Sequence, residues 1–270
     1  MRHLAKRPAT KFLAAAAVPA LLALLTMGSA SADFSQPKAI TDQADDMRAL
    51  YLLVLGMGIG VGILVEGALV IMLFRFKRRS DELPPQIHGN NLLEVIWTAI
   101  PVVIVVILFV FSFIVLVNVE KEGKTEDLSI EVSGFQFQWE FKYTMNDLGK
   151  GAAPSKQGTV SVLGTAAQEP TLVIPVGEPV QFKLSSNDVI HSFYVRNFLY
   201  KLDVVPGRDN QFTITAHTTG EFEGQCAELC GLNHALMRFH VRVVERGEFD
   251  KWIAEQKITP PAAQAAAKQP

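Results

Sequence analysis

Two long apolar runs constrain this chain more than any other feature of its sequence. The first covers residues 51–74 and contains one acidic residue, Glu66, and the second covers residues 92–119. Each run exceeds the roughly 20 mostly apolar residues that an α-helix needs to cross a bilayer. A buried core helix would explain one such run, but two of them in a chain of positive mean hydropathy favour a membrane. The sequence therefore predicts a transmembrane hairpin.

The loop between the two runs, residues 75–91, indicates how the hairpin is oriented. It begins with a basic cluster formed by Arg75, Lys77, Arg78 and Arg79. Short loops rich in lysine and arginine stay on the cytoplasmic side of a membrane. We therefore expect residues 33–50 and everything after Val119 to lie on the outer side.

Residues 1–32 have the pattern of an export signal. A basic head is followed by an apolar stretch over residues 12–25, and small residues precede Asp33. Such a segment is removed after export, so the mature chain is expected to begin near Asp33. The formal net charge is −2, and no polybasic tract occurs outside the loop, so we expect no nucleic-acid partner.

Residues 120–258 consist of short segments of alternating polarity. The segments that predict strands are 128–133, 135–141, 159–164, 171–175, 179–184, 211–216 and 238–245. Strands at this spacing, broken by Gly, Pro, Asn and Asp, are typical of a β-sandwich or a small barrel. A short amphipathic helix with Phe249, Trp252 and Ile253 on one face is predicted to close the domain. The low-complexity residues 259–270 are expected to be disordered.

The only two cysteines of the chain, Cys226 and Cys230, lie in the stretch "GQCAELCGLNHALM". His234 and Met237 follow in the same stretch, and His191 lies upstream in "NDVIHSF". This donor set leaves three possibilities open. A disulfide is allowed outside the cytoplasm, a zinc ion would use the two cysteines and two histidines, and copper would also use the methionine as a weak ligand.

The second cysteine decides which kind of copper site is possible. One thiolate with two histidines and a methionine forms a mononuclear blue site. Two thiolates can instead bridge two copper ions, so that each ion takes one terminal histidine and one weak ligand. An electron shared by two metals changes the geometry of each metal less, which makes electron transfer fast. Such a site moves electrons and does not bind a substrate.

These stretches resemble a known family, cytochrome c oxidase subunit II, at its dinuclear copper A site. "PPQIHGNNLLEVIWTAIP" (84–101) is similar to the start of the second membrane helix of that family, and "VVPGRDNQ" (204–211) to the segment between its ligand regions. The resemblance covers about residues 40–256. It implies a two-helix transmembrane hairpin followed by an all-β, cupredoxin-like Greek-key sandwich.

The resemblance also implies a set of metal ligands. The side chains that would bind copper are His191, Cys226, Cys230, His234 and Met237, and the backbone carbonyl of Glu228 would complete the set. The carboxylate of Glu228 would help to hold a magnesium ion at the interface with the catalytic subunit. Without the resemblance, Glu228 would be interpreted as a solvated turn residue.

Two carboxylates of the membrane runs have separate interpretations. Glu94 matches a family glutamate at the mouth of a proton-uptake path in the catalytic subunit, although an acid at a helix N-terminus is also favoured by the helix dipole. The resemblance assigns no family position to Glu66. Because an acid inside a membrane span is costly and usually faces protein, we expect Glu66 to pack against the catalytic subunit.

The residue that receives electrons is where the chain departs from its family. Mitochondrial-type members carry two tryptophans in an aromatic run, and the first accepts electrons from cytochrome c. The corresponding run here, "GFQFQWEF", has Phe137 in the first place and Trp139 two residues later. Residues two apart on a strand share a face, so Trp139 is expected to take over this surface contact; a place in the sandwich core is the alternative. Asp188 is expected to help receive a basic cytochrome.

The function implied is that of the electron-transfer subunit of a respiratory cytochrome c oxidase in a bacterial plasma membrane. The chain would take electrons from cytochrome c or a c-type donor and pass them to a haem in catalytic subunit I, which reduces oxygen to water and moves protons. Subunit III is a further expected partner.

A membrane-anchored copper chaperone is the alternative function, since that class also uses two cysteines at this spacing and a distant histidine. Chaperones of this class usually have one membrane span, a thioredoxin-like domain and a histidine downstream of the cysteines. Two closer relatives differ in other ways: quinol-oxidising members of the family have lost the copper ligands, and nitrous oxide reductase lacks the membrane hairpin.

Overall fold

The protein is described from a computed structural model. The structure describes residues 36–78, 81, 85–121, 123–124, 128–144, 158–165 and 168–259. The predicted export signal, residues 1–32, lies outside the described residues, as do residues 260–270 of the predicted tail.

Two long helices come first in the described part of the chain. Helix α1 spans Asp42–Arg75 and helix α2 spans Asn91–Val119. The side chains of Thr41 and Asn90 cap their N-termini by accepting hydrogen bonds from backbone amides of the first turn. The most apolar 18-residue segment of α1 has a mean hydropathy of 2.3, and that of α2 has 3.4. In both segments, 0% of the residues are buried within the protein. Both helices are therefore long and apolar enough to cross a membrane.

The two helices form an antiparallel pair. Near the start of α1 and the end of α2, Asn118 Nδ2 donates to Asp46 Oδ2 at 3.3 Å. Glu66, within α1, is exposed in this chain.

The remaining described residues form a two-sheet domain. Its strands are β1 Leu128–Phe135, β2 Gln138–Thr144, β3 Thr159–Leu163, β4 Thr171–Pro175, β5 Pro179–Ser186, β6 His191–Val195, β7 Tyr200–Val204, β8 Asn210–Thr215, β9 Gly220–Cys226, β10 Arg238–Val244 and β11 Ile258–Thr259. A short helix, α3, spans Arg246–Glu255. One sheet has the order β11-β3-β2-β1-β5-β8 and the other β4-β10-β9-β6-β7. The predicted fold class, two apolar helices followed by a β-sandwich, is confirmed.

The core between the sheets is largely aromatic. In β2, Trp139, Phe141 and Tyr143 are all fully buried, because alternate side chains of a strand point to the same face. The ring of Phe193 lies 6.0 Å from that of Trp139 and 4.9 Å from that of Phe239, measured between centroids. Aromatic pairs of this kind stabilise a core beyond the area that they bury.

Most of the strands predicted from the sequence are present in the two sheets, but one of them is interrupted by a turn. The predicted strand over residues 135–141 is interrupted, because residues 136–137 form the tight turn between the antiparallel strands β1 and β2. The sequence patterns did not predict β6, β7, β9 or β11. The predicted amphipathic helix is confirmed as α3, with Phe249 and Ile253 buried against the sandwich.

The segment before α1 is bound to the sandwich by backbone hydrogen bonds. Ile40 is fully buried, its amide donates to the carbonyl of Asn197 at 3.3 Å, and its carbonyl accepts from the amide of His217 at 2.9 Å. Thr41 forms a β-bridge with Ala216, next to the edge strand β8. The segment thus covers part of a sheet edge and joins the first helix directly to the sandwich.

Replacing Tyr143 with phenylalanine is expected to destabilise the sandwich. The Tyr143 hydroxyl accepts from the amide of Val173 at 2.8 Å and donates to the carbonyl of Val173 at 3.0 Å, which joins β2 to β4 of the other sheet. The substitution leaves two buried backbone groups without a partner, at about 1–3 kcal/mol each. Denaturant unfolding of the purified chain measures the loss.

The control for this prediction is Tyr194→Phe. Tyr194 is half-buried, and its hydroxyl makes no hydrogen bond within the described residues. We expect its unfolding free energy to stay unchanged. An equal loss in the two variants would show that the hydrogen bonds of Tyr143 do not stabilise the fold.

Candidate metal centre

The predicted ligands meet because strands β6 and β9 are neighbours. His191 is the first residue of β6, and Cys226 is the last residue of β9. The two strands pair antiparallel, with Phe193 opposite Cys226. The loop after β9 carries Cys230 and then a 3-10 turn that begins at His234.

All five predicted side-chain ligands lie in one cluster. Cys226 Sγ is 3.9 Å from Cys230 Sγ and 3.9 Å from His191 Nδ1. Cys230 Sγ is 3.6 Å from His234 Nδ1 and 3.9 Å from Met237 Sδ. The two sulfur atoms therefore face each other, and each has one imidazole nitrogen beside it.

Glu228 contributes to the cluster through its backbone. Its carbonyl oxygen lies 3.3 Å from Cys226 Sγ. Its side chain points elsewhere: the carboxylate lies 3.7 Å from Lys201 Nζ, which also pairs with Asp203 at 3.0 Å. The Glu228 side chain is 45% exposed, so a second chain can reach it. Its predicted magnesium role stays a prediction.

The cluster is closed to solvent on most sides. His191 is 0% exposed, Met237 1%, and each cysteine 4%, while His234 is partly exposed. Both cysteines are free thiols, so the disulfide alternative is not formed in this structure.

The two thiols differ in acidity. Burial raises the pKa of Cys226, but hydrogen bonds with His191 and with the backbone at Glu228 and Ser192 outweigh burial and lower it to about 6. Burial and the adjacent charge of Cys226 raise the pKa of Cys230. The pair therefore loses its first proton most readily from Cys226, and the charge left there opposes loss of the second proton, which a bound metal ion would favour.

Asp188 orients His191. Its Oδ1 lies 2.8 Å from His191 Nε2, and the carboxylate also accepts from the amides of Gln136 and Val189, each at 2.6 Å. Although burial raises the pKa of Asp188, these hydrogen bonds lower it below its usual value. A carboxylate on one ring nitrogen fixes the tautomer and directs the other nitrogen toward a metal. The sequence indicated only a docking role for Asp188.

The surface position expected for Trp139 is wrong. Its side chain is 0% exposed, its ring lies 6.2 Å from that of His191, and its Nε1 donates to the carbonyl of Met237 at 3.4 Å. The alternation rule fails because Phe137 lies in the β1–β2 turn and not on a strand. Phe137 is the half-exposed aromatic residue, next to Gly231. The role of Trp139 in electron transfer stays a prediction.

The two membrane carboxylates lie apart from this cluster. Glu94 is in the first turn of α2, at the end opposite to the one that joins the sandwich. Glu66 lies within α1. Their predicted roles concern other chains, so the structure of this chain does not test them.

The donor types of the cluster suit copper. The ligand atoms of His191, Cys226 and Cys230 all lie within 4.8 Å of one another. Thiolate, imidazole and thioether are soft donors that suit copper. The thioether of Met237 lies against Cys230 Sγ, where a zinc site of two cysteines and two histidines would not need it.

Sequence reasoning missed Gln136 entirely. Its backbone amide binds Asp188, and its side-chain amide donates to the carbonyl of Cys230 at 2.7 Å. No residue-type signal identifies it, because glutamine binds neither copper nor zinc as a usual ligand. Only its position in the turn beside the cluster reveals its contacts.

Known proteins match both the helices and the sandwich of this chain. Residues 128–244 match the family "Cytochrome C oxidase subunit II, periplasmic domain", and residues 29–115 match "Cytochrome C oxidase subunit II, transmembrane domain". A probable cytochrome c oxidase subunit 2 of Streptomyces avermitilis is 33% identical over 282 residues, covering 93% of this chain and 88% of the relative. Another from Rickettsia bellii is 33% identical over 221 residues, covering 78% and 80%.

Among solved structures, the periplasmic domain of subunit II of the cytochrome oxidase of Bradyrhizobium japonicum is similar, with 33% identity and a TM-score of 0.40. It covers 48% of this chain and 94% of that one. The sequence matches include both apolar helices, which indicates membrane anchoring. The chain belongs to the cytochrome c oxidase subunit II family and is thus a subunit of an oxidoreductase complex.

Proposed function

We propose that this chain is the electron-transfer subunit of a respiratory haem–copper oxidase and that its cluster holds the dinuclear copper A centre. The observation that carries the proposal is the pair of facing free thiols, each with an imidazole Nδ1 within 3.9 Å. When bound, the copper pair supplies a carrier that takes up and releases one electron at a time. A cytochrome c or c-type donor would deliver the electrons, and catalytic subunit I would use them to reduce oxygen to water with proton translocation.

The protein's own contribution is to hold the donors before the metal arrives. Asp188 keeps His191 Nδ1 turned toward Cys226. The indole N–H of Trp139 donates to the carbonyl of Met237. Because donors on packed strands and hydrogen-bonded loops change little when an electron arrives, such a site suits rapid transfer.

The alternative function, a membrane-anchored copper chaperone, is less compatible with the fold. That class predicts one membrane span and a thioredoxin-like domain. The described chain has two apolar helices and an all-β sandwich. His191 also precedes the cysteines in the sequence, whereas the chaperone pattern places the histidine after them.

Exposed leucines around the cluster support a protein partner there. Leu229, Leu232 and Leu236 are 78%, 95% and 72% exposed. Contiguous exposed apolar side chains usually mark an interaction surface. We assign this surface to the contact with catalytic subunit I, where the Glu228 carboxylate would supply one oxygen to a shared magnesium ion. Subunit III remains a proposed partner on family resemblance alone.

The hairpin gives further contacts with the catalytic subunit. Glu66 is exposed within α1, which supports the proposal that it faces a membrane segment of subunit I. Glu94, exposed at the start of α2, is proposed to lie at the mouth of a proton-uptake path. We further propose that the chain lies in a bacterial plasma membrane. The basic cluster places the loop after α1 in the cytoplasm and therefore the sandwich outside.

Electrons are proposed to enter at the β1–β2 turn. Phe137 is half-exposed there and lies beside the loop that carries Cys230. Trp139 lies behind it, in contact with His191 and Met237. We therefore assign the docking contact to Phe137 and an internal position on the electron route to Trp139.

Reconstitution with copper tests the centre itself. The purified chain is expected to bind two copper ions and to give an electron paramagnetic resonance spectrum with hyperfine splitting from two equivalent nuclei. Cys230→Ser removes one of the two thiolates that would hold the pair and should bind a single copper. Met237→Leu, which removes only a weak ligand, should keep both ions. A one-copper spectrum of the unaltered chain would refute the assignment.

The site of electron uptake is tested by stopped-flow reduction with the native cytochrome. Phe137→Ala should slow reduction about tenfold while leaving the copper spectrum unchanged, since it removes an aromatic contact at a docking surface. Trp139→Leu should instead lower the free energy of unfolding by up to about 3–5 kcal/mol, the usual cost of truncating a buried aromatic residue. Because Trp139 is also assigned to the internal electron route, slower reduction in Trp139→Leu is compatible with the assignment. An unchanged rate in Phe137→Ala would overturn the docking role of Phe137.

Reporter fusions test the orientation. A reporter that is active only outside the cytoplasm should be active after Lys124 and inactive after Pro85, because the basic cluster keeps the loop inside. The reverse pattern would overturn the proposed topology.

A further inference from the structure

The β1–β2 turn is hydrogen-bonded to both loops that carry the cluster. At one end, the backbone amide of Gln136 donates to Asp188 Oδ2 at 2.6 Å, and Asp188 in turn binds His191. At the other end, Gln136 Nε2 donates to the carbonyl of Cys230 at 2.7 Å. A single residue therefore connects the loop before β6 to the loop after β9.

The loop after β9 is shaped to accept this turn. Gly231 has φ +131°, a conformation that favours glycine. A Cβ atom added at Gly231 would lie 3.0 Å from Gln136 Nε2 and 3.1 Å from the ring of Phe137. Any other residue at this position would push the loop away from the turn and lengthen the hydrogen bond from Gln136.

We infer that Gln136 is a positioning residue that sets the separation of the two ligand loops and so holds Cys230 and His191 in place for the metal. This inference concerns the loops themselves, and only its consequences for copper rest on the proposed function. Gln136 touches no ligand atom of the cluster. It acts through the Cys230 carbonyl and the Asp188 carboxylate.

The geometry separates this role from a purely structural one. Gln136 is exposed at the tip of a hairpin, so its side chain adds little to the packed core. Its loss should therefore leave global stability almost unchanged while it loosens the loop after β9. Cys230 is buried in the closed arrangement, and its accessibility reports this loosening directly.

The test uses the full chain and two substitutions, Gln136→Met and Gln136→Glu. Both keep the approximate length of the side chain and remove the N–H donor to Cys230, and the second also places a negative charge beside the carbonyl. Gln181→Met is the matched control, because Gln181 is a glutamine on β5 whose hydrogen bond to Gln211 is exposed and far from the turn.

The first measurement is made without metal. Alkylation of Cys230 by a soluble thiol reagent, located by fragment mass spectrometry, should be at least about tenfold faster in both Gln136 variants than in the unaltered chain and in Gln181→Met. Thermal unfolding should be the same in all four proteins. Equal alkylation rates, or faster alkylation explained by a matching loss of stability, would overturn the inference.

The second measurement uses the copper-loaded chain. Copper release to a chelator should be about 10–100-fold faster in the variants, the range found when residues behind a metal ligand are altered, and the hyperfine pattern of the two nuclei should become unequal. Unchanged release and an unchanged spectrum would count against the inference. If the unaltered chain binds no copper pair, the proposed function fails, while the alkylation rates still decide the role of Gln136.

Discussion

The pairing of β6 with β9 is the constraint on which the site depends. The β6–β9 pairing continues one residue past the end of β9, where the amide of Ala227 donates to the carbonyl of Ser192 at 3.0 Å. On the other side of β9, the amide of Cys226 donates at 2.9 Å to the carbonyl of Met237, the residue before β10. These bonds fix the backbone on either side of Cys226. His191 then lies beside the cysteine because neighbouring strands are about 4.8 Å apart. The donors are thus set by main-chain hydrogen bonds, which do not depend on the metal.

The ligand types were predictable from the sequence because four of them are local. Cys226, Cys230, His234 and Met237 fall within one stretch, and their spacing alone brings them near one another. The distance of His191 from them depends on the pairing of β6 with β9. In β6 four of five residues are buried, so this strand shows no alternation. β9 does alternate, but one of its inward positions is Gly224, whose missing side chain leaves room for the ring of Phe239, so its inner face is not marked by large apolar residues.

The error at Trp139 has the same origin. Alternation assigns two residues to one face only when both belong to one strand, and the chain turns between Phe137 and Trp139. The aromatic core then buries Trp139 against Phe193 and Phe239. The sequence missed a contact of Asp188 for a related reason: a carboxylate near a cluster looks like a docking charge in a sequence, and only the fold shows that it also binds His191. Its docking role stays a prediction.

The sandwich is attached to both helices by direct contacts, which suits an electron-transfer role. The sandwich does not hang from a free linker at its N-terminal side, because Ile40 and Thr41 are bonded into it immediately before α1 begins. The pair His217 and Asp45, 3.0 Å apart, lies at the same junction, and Val119 at the end of α2 is buried. Rigid elements hold a reactive group more accurately than loops do. Under the proposed function, the cluster passes electrons to an acceptor in another subunit and needs a fixed position. These contacts hold the sandwich to the start of α1 and to the end of α2.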